Sequence, residues 1–144
     1  MKRLMGTSND VALTMLRVVL GVVFFAHGAQ KMLGWFGGFG FHGTMGAFTH
    51  MGMPAPMAFL IICTEFFGGL GLIVGLLTRI ASLGVAGLMV GAIFMVHMPN
   101  GFFMNWMGSQ KGEGIEYHLL VLAMAGALLL RGAGAFSLDR TLSK

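Results

Sequence analysis

Four long apolar runs leave this chain few ways to fold. They cover residues 11–33, 56–77, 80–98 and 115–134. A helix that crosses a bilayer needs about 20 consecutive, mostly apolar residues. The fully apolar part of the fourth run, residues 119–130, is too short by itself. It must take in Glu116, Tyr117 and His118 at one end or residues 132–136 at the other. The rest of the composition agrees. The chain is 56% hydrophobic and 10% charged, against roughly 25% charged in soluble domains. Five carboxylates and nine Lys/Arg cannot build the polar shell that water requires, whereas a lipid-facing surface needs none. The expectation is an all-α, integral membrane four-helix bundle, folded as a single domain with lipid bilayer around it.

The net charge of +4 does not point to nucleic acid, because the basic residues are not clustered. They stand singly at the ends of apolar runs, where they set topology. Lys2, Arg3, Arg79, Arg131, Arg140 and Lys144 fall on one side, and Lys31 and Lys111 on the other. This bias places both termini in the cytoplasm, in a cell inner (cytoplasmic) membrane. The opening Lys2-Arg3 with its apolar stretch resembles a secretory leader, and residues 26–29 offer small side chains for cleavage. The stretch is too long for that and carries Arg17, so it reads as an uncleaved first helix. Cys63 is the sole cysteine. It allows no intrachain disulfide and reads as a small buried hydrophobe.

Thr78-Arg79 alone separates the second and third runs, which predicts a tight antiparallel hairpin. Residues 35–55 are rich in Gly and aromatics, and Met45, Phe48 and Met51 recur at helical spacing. A short interfacial helix is expected in this first outer loop. The second outer loop carries Phe102, Phe103 and Trp106, residues suited to the headgroup region. Gly71-x-x-x-Gly75 and Gly87-x-x-x-Gly91 predict close helix packing, within the bundle or between copies in a homo-oligomer.

Ionisable residues inside a membrane are costly and mark function by default. On the first run, Arg17, Leu20, Phe24, His27 and Lys31 share one stripe at 100° per residue. The stripe is expected to face the bundle interior, with Arg17 and Lys31 snorkelling to opposite surfaces. Glu65 stands about 12 Å below the outer surface at 1.5 Å per residue, and a carboxylate there needs a cation, a donor or a proton. His27 lies at similar depth. His97 near the end of the third run and Glu116 at the start of the fourth complete one polar layer. His42 and His50 read as surface residues.

The layer admits more than one reading. It can be a hydrogen-bonded network that fixes helix register. It can hold a metal through His27, His97, Glu65 and Glu116, although no Glu-x-x-His spacing supports this. It suits a quinone head group better. Quinone oxygens accept hydrogen bonds from His27 and Lys31, while Glu65 and His97 pass protons and Glu116 borders the site. Met and Phe side chains would then line a groove for an apolar tail. No phosphate loop, Ser-His-Asp pattern or dinucleotide fingerprint is present.

Several segments resemble the DoxX family of small four-helix membrane proteins, over residues 16–139. They are His27-Gly28-Ala29-Gln30-Lys31, Gly34-Trp35-Phe36-Gly37-Gly38, Gly52-Met53-Pro54-Ala55-Pro56 and Glu65 followed by Gly68-Gly69. Gly75-Leu76-Leu77-Thr78-Arg79, His97, Asn100-Gly101-Phe102-Phe103, Glu116-Tyr117 and the tail from Gly132 to Asp139 continue the pattern. The resemblance implies a bacterial or archaeal cytoplasmic-membrane protein that associates with redox partners, and it favours quinone-linked chemistry. The family name derives from a subunit of a thiosulfate:quinone oxidoreductase. Ala133 replaces a proline common in the family tail, which implies a looser turn without functional consequence. Two functions follow as expectations: a quinone-interacting membrane subunit of an oxidoreductase, or a non-catalytic accessory subunit packed in a larger membrane complex.

Overall fold

A computed structural model describes residues 5–143. Lys2, Arg3 and Lys144, three members of the charge count, lie outside the described residues. The described chain is helical, without strands. Helix α1 (Val11–Leu33) is the first span. The Asp10 carboxylate caps it, accepting the Ala12 N–H at 2.8 Å, which satisfies one of the free amides at a helix start. Gly34 ends it with φ 75°. A turn at Trp35–Gly37 leads into α2 (Gly40–His50), the short helix expected in the first outer loop.

Helix α3 (Ala55–Val74) and helix α4 (Thr78–Asn100) are the second and third spans. Each contains one widened turn of π-helix, Thr64–Gly68 in α3 and Ile93–His97 in α4. The link between them is residues 75–77, not Thr78-Arg79, which already belong to α4. Gly75 stops α3 at φ 73° and Leu77 sits at φ 51°. The two left-handed residues reverse the chain within three positions.

Three helices, α1, α3 and α4, are long and apolar enough to cross a membrane among the described residues, and helix α5 (Glu116–Arg131) is the fourth long helix of the bundle. At 16 residues it spans about 24 Å, shorter than the other three. It takes in Glu116–His118 and stops before the predicted end at 134, because Gly132 turns out at φ 86°, ψ −160°. The following backbone is irregular but buried, with Ala133 wholly covered. Irregular backbone at membrane depth is tolerated only where protein covers it. Helix α6 (Leu138–Leu142) closes the described chain.

The four long helices form a ring in which α1 packs on α3 and α5, and α4 packs on α5 and α3. Leu20, Phe24, Leu72, Val85, Met89, Val121 and Leu128 fill the centre. The outward faces carry exposed Val19, Leu60, Leu83, Phe94, Leu120 and Leu130, the reverse of a water-soluble surface. The tight helix contact is not at either predicted Gly-x-x-x-Gly pair. It lies between Gly21 and Gly28 of α1 and Gly69 of α3. A Cβ at Gly28 would stand 2.4 Å from the Phe66 nitrogen, and one at Gly69 would stand 2.4 Å from the Phe25 nitrogen. Gly75 is outside the helix, and Gly87 and Gly91 have no neighbour within 4 Å of a built Cβ. Cys63 is only half-buried, less covered than expected.

Arg17 does not snorkel. It is 1% exposed, and its guanidinium donates to four backbone carbonyls at the end of the bundle that holds both termini. Nε reaches the Ala133 oxygen at 2.8 Å, Nη1 reaches Leu72 and Ile73, and Nη2 reaches Phe136 at 2.5 Å. The Leu72 and Ile73 carbonyls belong to the last turn of α3, which has no helical donor left for them. Asp139 completes the joint. Its carboxylate accepts the Leu77 and Thr78 amides at 2.7 and 2.9 Å, which caps α4 from the far end of the chain. The tail turn at Ala133 is thus the acceptor that seats Arg17, and not a loose connection.

Candidate functional site: a polar chamber between the outer loops

The opposite end of the bundle holds an open cavity of about 380 Å³, within the range of small-molecule sites. All four long helices contribute to its wall. His27 and Lys31 come from α1, Glu65 from α3, Met89 and His97 from α4, and Tyr117 and His118 from α5. Met104 and Glu113, from the loop between α4 and α5, border it at the end of the bundle.

The electrostatic centre is an ion pair. Lys31 Nζ donates to Glu65 Oε2 at 2.5 Å. The Glu65 side chain is 9% exposed and the Lys31 side chain 24% exposed. Glu65 sits on the π turn of α3. An inserted residue of this kind rotates the side chains after it and is found repeatedly at functional sites. His97 sits on the matching π turn of α4. Its Nδ1–H donates to the Glu113 carbonyl at 2.8 Å. His97 stacks on His118 with centroids 4.1 Å apart. His118 is 5% exposed. Its Nδ1 has no hydrogen bond among the described residues, although the Gly114 carbonyl lies beside the ring. A buried imidazole nitrogen without a partner costs free energy unless something else supplies one.

Of the residues singled out by sequence, His27, Lys31, Glu65 and His97 line this one chamber. Glu116 does not. Its carboxylate turns to the loop, accepting the Met104 amide at 2.9 Å and the Trp106 indole N–H at 3.3 Å. It holds the loop closed over the chamber. The α1 stripe is buried at Arg17, Leu20 and Phe24 but opens at His27, which is exposed. Lys31 turns inward to Glu65 and does not reach for the surface. His42 and His50 are exposed. No group of three His, Cys, Asp or Glu suited to a metal exists among the described residues.

Sequence reasoning passed over His118 and Tyr117. A signal was available. Glu116 and His118 lie 200° apart on a helix, so only one of them can face the bundle. His118, Val121, Ala125 and Leu128 repeat at the spacing of a buried face, and all four are buried.

The DoxX family model matches residues 12–98. The chain belongs to the DoxX family. It is 32% identical to a Bacillus subtilis protein named "Putative oxidoreductase CatD", over 94% of this chain and 90% of that one. It is also 32% identical to inner membrane protein YqjF of Escherichia coli, over 94% and 95% of the two chains. An uncharacterized membrane protein of Mycobacterium tuberculosis is 30% identical over 99% of this chain and 88% of its own. No solved structure gives a significant match. This DoxX-family chain is therefore a helical membrane protein in contact with lipid.

Proposed function

We propose that the chamber binds the head group of a quinone, and that the protein is the membrane subunit of a quinone-linked oxidoreductase system. The observation that carries this reading is the part-buried Lys31–Glu65 pair, placed with His27, His97 and His118 around one cavity. A network needed only for helix register would leave no cavity and no unpartnered imidazole. The residues present fit the group. Phe24, Leu88 and Met89 offer apolar wall to a flat ring, and the rim offers donors for its oxygens. The relative named as an oxidoreductase supports the same class of chemistry.

A quinone bound there takes up or releases two electrons with two protons. The chain's own part is to bind, orient and move protons. Lys31 and His27 hold one oxygen by charge-assisted hydrogen bonding, and the His118 ring lines the cavity beside it. Glu65 exchanges a proton with Lys31 or His27, and His97 connects the stacked pair to the outer loop. Electrons come from a partner protein or a reduced substrate, because the chain carries no flavin, haem or cluster motif. Such a donor would dock on the aromatic outer loops.

The test is extraction in mild detergent followed by analysis of bound quinone and of quinone-dependent activity. Wild-type protein is expected to retain or bind quinone, and Glu65→Gln to lose the activity by something like 10²–10⁴-fold. Full activity in folded Glu65→Gln would return the protein to the accessory-subunit reading.

A further inference from the structure

A second cavity of about 410 Å³ lies between α3 and α4, beneath Phe48 of α2. It adjoins the chamber. Glu65, Leu88 and Ala92 line both, so the two spaces share one wall. Its other surfaces are apolar. Gly87 and Gly91 form the floor, and Met57 and Met95 stand at its sides, 38% and 56% exposed. Packing between α3 and α4 is carried by residues 64–74 of α3, and nearer the outer surface the helices part to leave the groove. Gly87 and Gly91 pack against nothing. They are small where the fold does not need small residues.

We propose that this groove carries the apolar chain of the ligand whose head occupies the chamber, and that the ligand arrives sideways from the bilayer. The inference rests on the quinone reading and narrows it to long-chain, membrane-borne quinones. The shared lining of Glu65, Leu88 and Ala92 argues for this occupant, because it sets the groove directly beside the head-group site. A head group seated beside Glu65 would send its tail past Leu88 and Ala92, which border both spaces, into the apolar groove. Unbranched Met side chains adapt to an irregular chain. The groove does not act by hydrophobic transfer, because lipid is as apolar as its walls. It acts by providing a path, so closing it makes the chain collide with protein.

Gly87→Leu and Gly91→Leu, separately and together, close the floor. Leu is a better helix former than Gly and meets no atom within 4 Å at its Cβ, so the variants are expected to fold, with an unchanged or raised melting midpoint. Binding is measured for two probes that share one head group, one with a long polyprenyl tail and one with a methyl in its place. The double variant is expected to bind the long-tailed probe at least about tenfold more weakly and the tail-free probe within about twofold. Equal weakening of both probes, or of neither, overturns the proposal. So does a change in oligomeric size with both probes bound as before, which would make the groove a seam between copies. Failure of wild-type protein to bind either probe refutes the quinone reading itself, and the groove proposal with it.

Discussion

Removing the two partners of the Lys31–Glu65 pair is expected to have unequal effects. At 2.5 Å and an effective dielectric of about 20, two unit charges attract by about 6–7 kcal/mol. Burial offsets much of that, so the net worth of the intact pair is small. Breaking it is another matter. Lys31→Met leaves a carboxylate whose side chain is 9% exposed without its cation, at a cost of about 3–5 kcal/mol. Glu65→Gln leaves a lysine that is 24% exposed and can swing its ammonium toward water, so about 1–2 kcal/mol is expected. The double variant, Lys31→Met with Glu65→Gln, has no buried charge and should recover most of the loss. Reversible unfolding in mixed micelles gives the four stabilities, and the cycle gives a coupling of at least about 2 kcal/mol. Ordinary polar contacts between membrane helices couple by only about 0.6 kcal/mol. A coupling at or below that value would refute the claim that a desolvated ion pair organises the chamber.

Arg17→Leu removes the donor for four carbonyls and is expected to destabilise by about 3–5 kcal/mol, releasing the tail, which limited proteolysis near Asp139 would detect. In activity, His27→Ala should fail like Glu65→Gln, and the two together should lose little more than either alone, because residues acting as a unit are not additive; independent, multiplying losses would separate His27 from the Glu65 site. For orientation, single cysteines at Gly40 and Ser109, in a Cys63→Ser background, are expected to react with an impermeant thiol reagent in intact cells, and labelling at Arg79 instead would reverse the topology.

The sequence by itself determined the bundle. The lengths of the apolar runs and the shortage of charge allow only helices that satisfy their own backbone in lipid, and the interfacial helix was readable from Met45 and Phe48. The membership of the chamber was partly legible too, since Glu65 and His27 are conspicuous where lipid should be. Side-chain direction was not. Lys31 was expected at the surface and turns to Glu65, and Arg17 was expected in water and is sealed under the tail. Long flexible cations can go either way, and the choice depends on whether a partner from a distant segment arrives within reach. For Arg17 that partner is a set of carbonyls more than 50 residues away, which no local pattern announces. The π turns and the fanning apart of α3 and α4 are likewise tertiary. Each shifts the helical phase, and a count at 100° per residue cannot see the shift. The apolar runs are set by the solvent, one residue at a time, while the chamber and its groove are set by which helices touch and where they separate.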